Sequence, residues 1–153
     1  MKLTLRYGLT ITAGVIVWTI LAHTLVPNPR SIVHSLGTIT FFNVLHFACI
    51  FLGIRALERE KGEKPTFKQG VKLGISISFV YAVTAALFFA IVLLVIGPKW
   101  MAGEARPEVP MWLVGVQAFA GLIVFSMIFG LVYSTLISFV LAKRLSSDDS
   151  FRE

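Results

Sequence analysis

Acidic residues are missing from every long apolar stretch of this sequence. The chain has 153 residues and only eight Asp and Glu, and none of the eight falls within 5–26, 32–57, 70–97 or 111–142. Proton pumps and cation-coupled carriers usually place a carboxylate at mid-membrane. The sequence therefore offers no residue on which such coupling would rest.

Cysteine and catalytic motifs are scarce as well. Cys49 is the single cysteine, so the chain forms no intramolecular disulfide and no thiolate metal cluster. We find no P-loop, no His-Glu-x-x-His motif, no nucleophile elbow and no paired carboxylates. We therefore expect no catalytic residue, no metal site and no cofactor, and we interpret the protein as one that is not an enzyme.

Apolar stretches fill most of the chain, at about residues 5–26, 32–57, 70–97 and 111–142. Each reaches the ~20 residues that an α-helix needs to cross a bilayer, where a helix satisfies its own backbone hydrogen bonds. Hydrophobic residues make up 56% of the chain, above the roughly 45–50% of soluble domains. The sequence predicts an all-α protein, with residues 1–153 forming one integral membrane domain of four antiparallel transmembrane helices.

Basic residues are distributed unevenly between the two sides of the predicted bundle. Of the 14 Lys and Arg residues, only Arg30, Lys99 and Arg106 fall in the links on one side. The others flank the termini and the middle loop, and basic residues accumulate on the cytoplasmic side of membrane proteins. Both termini are therefore predicted to be cytoplasmic. The net charge of +6 then reflects topology, and we expect no nucleic-acid binding.

Small residues recur every four positions along the third and fourth stretches. Residues four apart form one ridge on a helix, and small side chains let helix backbones approach closely in lipid. The two ridges are expected either to pack on each other within one subunit or to face another copy or a partner. The helix-packing candidates are Gly70, Gly74, Ser78, Ala82, Ser126, Gly130, Ser134 and Ser138.

A few polar side chains lie within the predicted spans. Asn43 and His46 are three residues apart in the second span, and Gln117 lies in the fourth. Such residues commonly form hydrogen bonds between membrane helices, and this is our interpretation. The alternative is a haem, quinone or pigment contact by His23, His34 or His46, since imidazole is a common metal ligand.

The second helix is predicted to continue past the membrane. Arg55, Glu58 and Lys61 are spaced three apart, where opposite charges meet on a helix surface. Gly62 is the predicted stop and Pro65 marks a turn. Residues 66–72 then form an amphipathic lead into the third span.

The loop between the second and third spans is rich in basic side chains. Cationic groups at the inner surface attract anionic lipid at roughly 1 kcal/mol each, and they also enforce topology. Either role fits the basic segment, residues 55–72, whose six basic side chains are Arg55, Arg59, Lys61, Lys64, Lys68 and Lys72.

Two segments beside this loop resemble a known family. Phe-Leu-Gly-Ile-Arg at 51–55, followed by a charged stretch and Pro-Thr-Phe-Lys-Gln-Gly-Val-Lys-Leu-Gly at 65–74, is similar to the hallmark of the bacterial domain of unknown function 4199 family. Residues 6–9 resemble the start of that family, and residues 121–132 resemble its fourth helix. The outer loop at 98–110 departs from the family's longer charged insert. The resemblance implies four helices and a bacterial inner membrane, and it implies no activity.

These features favour an accessory or structural subunit of a larger membrane complex. Its expected partners are the lipid bilayer, other membrane subunits or copies of itself, and anionic lipids at the cytoplasmic face. The alternative is a small homo-oligomeric transporter or channel, and a membrane redox enzyme comes third. The residues that a polar path would use are Thr40, Asn43, His46, Ser76, Tyr81, Thr84 and Gln117.

Overall fold

Four long helices make up the computed structural model, which describes residues 2–25, 32–96 and 110–149, without the side chains at 23, 25, 32–34, 96, 111, 114 and 142–149. The described part contains no strand, so the predicted all-α class is confirmed. The predicted turn at 27–29 and most of the loop at 98–110 lie outside the described residues. The helices are α1 Lys2–Leu25, α2 Ile32–Lys61, α3 Phe67–Ile96 and α4 Met111–Asp149.

Each helix is long and apolar enough to cross a membrane. The candidate spans are Lys2–Ala22, Ser35–Lys61, Phe67–Val95 and Gly115–Leu141. Large apolar side chains point outward from the bundle, with Leu94 as much as 84% exposed, and such a surface fits lipid rather than water. The prediction of four membrane-crossing helices is confirmed, while the side on which the termini lie stays a prediction.

Local backbone chemistry sets the helix ends at the basic segment. Gly62 adopts a φ of 67° just after α2, a left-handed conformation that glycine adopts without strain. Thr66 and Gln69 cap α3 reciprocally, since the Gln69 N–H donates to Thr66 Oγ1 (3.4 Å) and the Thr66 N–H donates to Gln69 Oε1 (3.3 Å). The two helices therefore extend beyond the predicted spans, which end at 57 and begin at 70.

Helix α3 occupies the middle of the arrangement. Its contact with α4 is the most extensive in the bundle, and α1 packs along it as well. Helix α2 touches the other three, so α1 and α4 lie on opposite sides of the α2–α3 pair. The core between the helices is formed by apolar side chains from all four, namely Ile11, Val15, Ile50, Ile54, Ile77, Tyr81, Ala85 and Ile137.

Candidate functional site

The two small-residue ridges face each other between α3 and α4. Gly70 lies against Ser138 and Gly74 lies against Ser134, and a side chain at either glycine would overlap the serine opposite. From the first pair to the second, the residue number rises by four on α3 and falls by four on α4. The pairs therefore form successive layers of one interface. The ridges are occupied within one chain, which is the first of the two arrangements considered above.

Two more layers continue the interface towards the middle of the bundle. Ser78 lies against Gly130. Ala82 on α3 is fully buried, and Ser126 on α4, four residues before Gly130, is buried as well. All eight helix-packing candidates are buried, which is the condition for the close backbone approach that small residues permit.

His46 connects α2 to this interface. Its Nε2 lies 2.8 Å from Ser78 Oγ, and the Ser78 hydroxyl donates to the Gly74 carbonyl oxygen at 3.0 Å. A side chain at Gly130 would overlap Ser78 and would reach within 3.8 Å of His46 Nε2. The glycine on α4 therefore leaves the space in which the histidine of α2 and the serine of α3 meet.

Two tyrosines flank the His46 imidazole. The ring centroids of Tyr81 on α3 and Tyr133 on α4 lie 5.3 and 5.6 Å from that of His46, both in edge-on orientations. The Tyr133 hydroxyl donates to Asn43 Oδ1, and Asn43 Nδ2 donates to the carbonyl oxygen of Ile39 at 2.7 Å. Asn43 and His46 thus each hydrogen-bond to a different helix. We call Asn43, His46, Ser78, Tyr81 and Tyr133 the polar node.

A serine beside a histidine invites comparison with a catalytic pair. A serine nucleophile needs a base that a third group orients, and its hydroxyl must reach a substrate. Ser78 is fully buried and already donates to a backbone carbonyl. No hydrogen bond within the described residues orients His46 Nδ1, and none of their His, Cys, Asp and Glu side chains gather in threes that could hold a metal. The pair is arranged as a link between helices.

Gln117 forms no polar contact with another described helix of this chain. Its side chain is exposed and has no hydrogen bond to a described residue, so the interhelical contact stays a prediction. Helix α4 is exposed throughout 116–120, more than a full turn, so no described helix covers it there. The side chains of His23 and His34 are not among those that the structure describes, so the roles predicted for them stay predictions.

The other residues of the predicted polar path do not line one route. Thr84 hydrogen-bonds to Thr12 of α1, on the side of α3 away from α4. Ser76 donates to the Lys72 carbonyl oxygen at 2.8 Å, within its own helix, and Thr40 is exposed. Only the residues of the polar node converge at one place.

Basic side chains collect at one end of the bundle. Arg55 forms an ion pair with Glu58 at 3.3 Å. Arg6 of α1 belongs to the same end, because Tyr7 beside it contacts the Gly53 position of α2. The basic segment has six basic and three acidic residues, which leaves a net charge of +3. Its exposed basic side chains are Arg59, Lys61, Lys64, Lys68 and Lys72.

Residues 6–106, about two-thirds of the chain, match the model of a family described as "Protein of unknown function (DUF4199)". The chain belongs to the DUF4199 family. This confirms the resemblance that residues 6–9 and 51–74 indicate. No curated protein and no solved structure matches the chain.

The residues of the candidate site lie partly inside and partly outside the segment that matches the DUF4199 model. That segment contains α1, α2 and α3, and with them His46, Ser78 and the basic segment. It ends before α4, so Gly130 and Tyr133 lie outside it. The fourth-helix resemblance that we expected at 121–132 also lies outside the matched residues.

Sequence reasoning missed several residues that form hydrogen bonds between helices in this DUF4199 protein, among them Tyr133 and Thr12. Tyr133 is the one tyrosine in the fourth apolar stretch, and a phenol in an apolar setting usually finds a partner, so its presence was a usable signal. Thr12 gave none, because a helical threonine can bond to the preceding turn, as Thr12 does with the Gly8 carbonyl oxygen at 3.1 Å.

Proposed function

We propose that this DUF4199 protein works by binding, as a non-catalytic accessory or structural subunit of a larger complex in a bacterial cytoplasmic membrane. The observation that carries the proposal is a contrast between interior and surface. Among the described residues, Ser138 Oγ is the one buried side-chain polar atom without a hydrogen-bond partner. The interior therefore leaves few polar groups for a solute or a reaction, whereas the basic segment is exposed.

The basic segment is the surface that we propose for binding at the cytoplasmic face. Arg59, Lys61, Lys68 and Lys72 are exposed and have no ion pair within the described part of the chain. Cationic side chains at a membrane surface attract anionic lipid headgroups, and we propose anionic lipid as the ligand. An acidic edge on a partner subunit is the alternative that the experiment separates from it.

Charge reversal at Arg59, Lys61 and Lys68, each changed to Glu, tests this surface. We expect the variant to keep its helical circular dichroism but to lose a salt-sensitive preference for vesicles that contain anionic lipid. The matched control carries Arg59→Lys, Lys61→Arg and Lys68→Arg, which keep the charge. If the preference survives reversal, the segment does not bind lipid. If the vesicle preference is unchanged and only the copurification of another membrane protein is lost, the ligand is an acidic surface on a partner subunit.

The membrane orientation is part of the proposal and has its own test. In a Cys49→Ser background, a cysteine at Gly62 is expected to be shielded from an impermeant thiol reagent in intact cells. A cysteine at Gly103 is expected to react, because the positive-inside pattern places it outside. The opposite labelling pattern would put the basic segment on the outer face and remove the proposed lipid contact.

A small homo-oligomeric transporter is the second candidate. The observation in its favour is that Asn43, His46 and Tyr81, three residues of the predicted path, converge in the polar node. Purified protein in liposomes that moves a solute saturably, with loss of flux in His46→Ala or Asn43→Ala, would establish transport and end the accessory proposal. Absence of flux for inorganic ions and small metabolites supports the accessory role.

A further inference from the structure

Gly121 on α4 differs from the other glycines that lie within described helices. At each of the others, a Cβ atom would meet a neighbouring residue within 4 Å, whereas at Gly121 it would meet nothing. In this bundle a helix glycine otherwise marks a place where another helix packs closely. At Gly121 no described helix of the same chain packs against the glycine.

Gln117 lies one turn before Gly121, on the same face of α4. Its amide is exposed and has no hydrogen bond to a described residue. Trp112, 69% exposed, lies about 7.5 Å farther out along the helix axis, and exposed tryptophans favour the membrane interface. The amide therefore sits on the apolar side of the interface, where an unpaired polar group is unfavourable.

The same face of α4 continues inward with apolar side chains. Val124 and Ile128 follow Gln117 by seven and eleven residues, close to two and three helical turns, and both are exposed. Ser126, nine residues after Gln117 and so on the opposite side, is buried. It lies on the side of α4 that carries Gly130, which packs against Ser78 of α3. We call Gln117, Gly121, Val124 and Ile128 the outer face of α4. It points away from the chain's own bundle.

We propose that two copies of this chain pair through the outer face of α4, with their Gln117 amides hydrogen-bonded to each other and their Gly121 backbones in close approach. The inference deepens the proposed function, because it rests on the chain acting by binding within the bilayer. Copies inserted in the same orientation pair about a two-fold axis along the membrane normal, so equivalent residues meet at that axis.

The chemistry of the outer face fits a second copy. A glutamine amide carries both a donor and an acceptor, so Gln117 is complementary to itself. Gly121 permits the short distance between backbones that pairs of small residues use in membranes. The face carries no charged side chain that would require an oppositely charged partner.

Disulfide cross-linking in native membranes tests the pairing. In a Cys49→Ser background, Val124→Cys is expected to form a cross-linked dimer on mild oxidation. The matched control is Phe119→Cys, which is also exposed but lies on the opposite side of α4. Equal cross-linking at the two positions, or none at Val124→Cys, overturns the proposal.

Two further variants separate pairing from folding. Gln117→Leu is expected to lower the association constant of the dimer about tenfold, an effect of the size found for polar contacts between model membrane peptides. Gly121→Leu is expected to lower it to a similar extent, because the added side chain separates the two backbones. Gly121→Leu should keep the thermal unfolding temperature of the monomer, because the added side chain meets nothing in its own chain. Dimerisation unchanged in both variants would show that this face is not the interface.

The outcomes also distinguish this inference from the proposed function. A chain that stays monomeric but copurifies with another membrane protein loses the pairing and keeps the accessory role. A chain that pairs through α4 and copurifies with no other protein keeps the pairing and loses the accessory role.

Discussion

Two interfaces of the bundle contain helix glycines, one between α1 and α2 and the other between α3 and α4. The side chains that occupy the space beside these glycines differ in size between the two interfaces. Between α1 and α2, Leu45 fills the space at Gly14, and the ring of Trp18 lies at Gly37. Between α3 and α4, serines fill the space at Gly70, Gly74 and Gly130, while Gly115 at the start of α4 faces Leu93. Small side chains let two backbones approach along their length, which agrees with the more extensive contact of α3 with α4.

The difference has an energetic meaning because lipid gives helices no hydrophobic reason to associate. The helices are then held together by close packing of their side chains and by hydrogen bonds between helices. We therefore expect the α3–α4 interface to be most sensitive to added volume and the α1–α2 interface to removed volume. The predictions below test that contrast, beginning with the largest effect.

Added volume at Gly74 should be the most damaging change. Gly74→Leu would force a side chain against Ser134 and Ile50, and we expect a loss of about 3 kcal/mol in unfolding free energy, the upper part of the usual range for overpacking. Unfolding by SDS titration in mixed micelles measures it. Gly121→Leu is the control, because no described residue lies beside that glycine. Equal stability of the two variants would mean that α3 and α4 are not in close contact at Gly74.

Removed volume at Trp18 should cost less. The Trp18 ring stacks on Phe41 with centroids 4.4 Å apart, and its Nε1–H donates to Thr38 Oγ1 at 3.1 Å. Trp18→Ala is expected to lose about 1.5 kcal/mol of unfolding free energy, since a stacked aromatic pair contributes ~0.5–1.5 kcal/mol. Trp18→Phe should recover most of this loss. The opposite truncation at the other interface, Ser134→Ala, should change stability little, and a larger loss there than at Trp18 would reverse the comparison.

The smallest effect is expected at the contact between α1 and α3, where Thr12 of α1 hydrogen-bonds to Thr84 of α3. Thr12→Val and Thr84→Val keep the side-chain shape and remove the hydroxyls. A double-mutant cycle should give a coupling of about 0.6 kcal/mol, the average for such bonds in a membrane protein. A coupling near zero would assign the α1–α3 contact to packing alone.

Hydropathy was sufficient to predict the four helices, because each span must satisfy its backbone within itself. The end of α2 at Lys61 was also predictable, since it depends on the local charges and on Gly62. The four-residue spacing of the ridges indicated close packing but not the pairing of Gly74 with Ser134. That choice depends on which helices meet and in what register, and a single helix sequence does not record either.

The polar node shows the same limit. His46 and Asn43 were recognisable as polar residues in an apolar helix, but their partners, Ser78 and Tyr133, lie 32 and 90 residues away in sequence. Gln117 shows this limit in another way. Its polarity indicated a contact between helices, and only the arrangement of the helices shows that no described helix of the same chain covers its side of α4.

The hydrogen bonds of Ser78 bear on which ring nitrogen of His46 carries a hydrogen. A serine hydroxyl has one hydrogen to donate, and Ser78 Oγ lies within reach of both the Gly74 carbonyl oxygen and His46 Nε2. We predict that this hydrogen goes to the carbonyl oxygen, which accepts only, so that the imidazole donates from Nε2 and its Nδ1 carries no hydrogen. In a ¹⁵N NMR spectrum, Nε2 should then have the chemical shift of a protonated ring nitrogen. The shift of an unprotonated nitrogen at Nε2 would show that Ser78 donates to His46 instead.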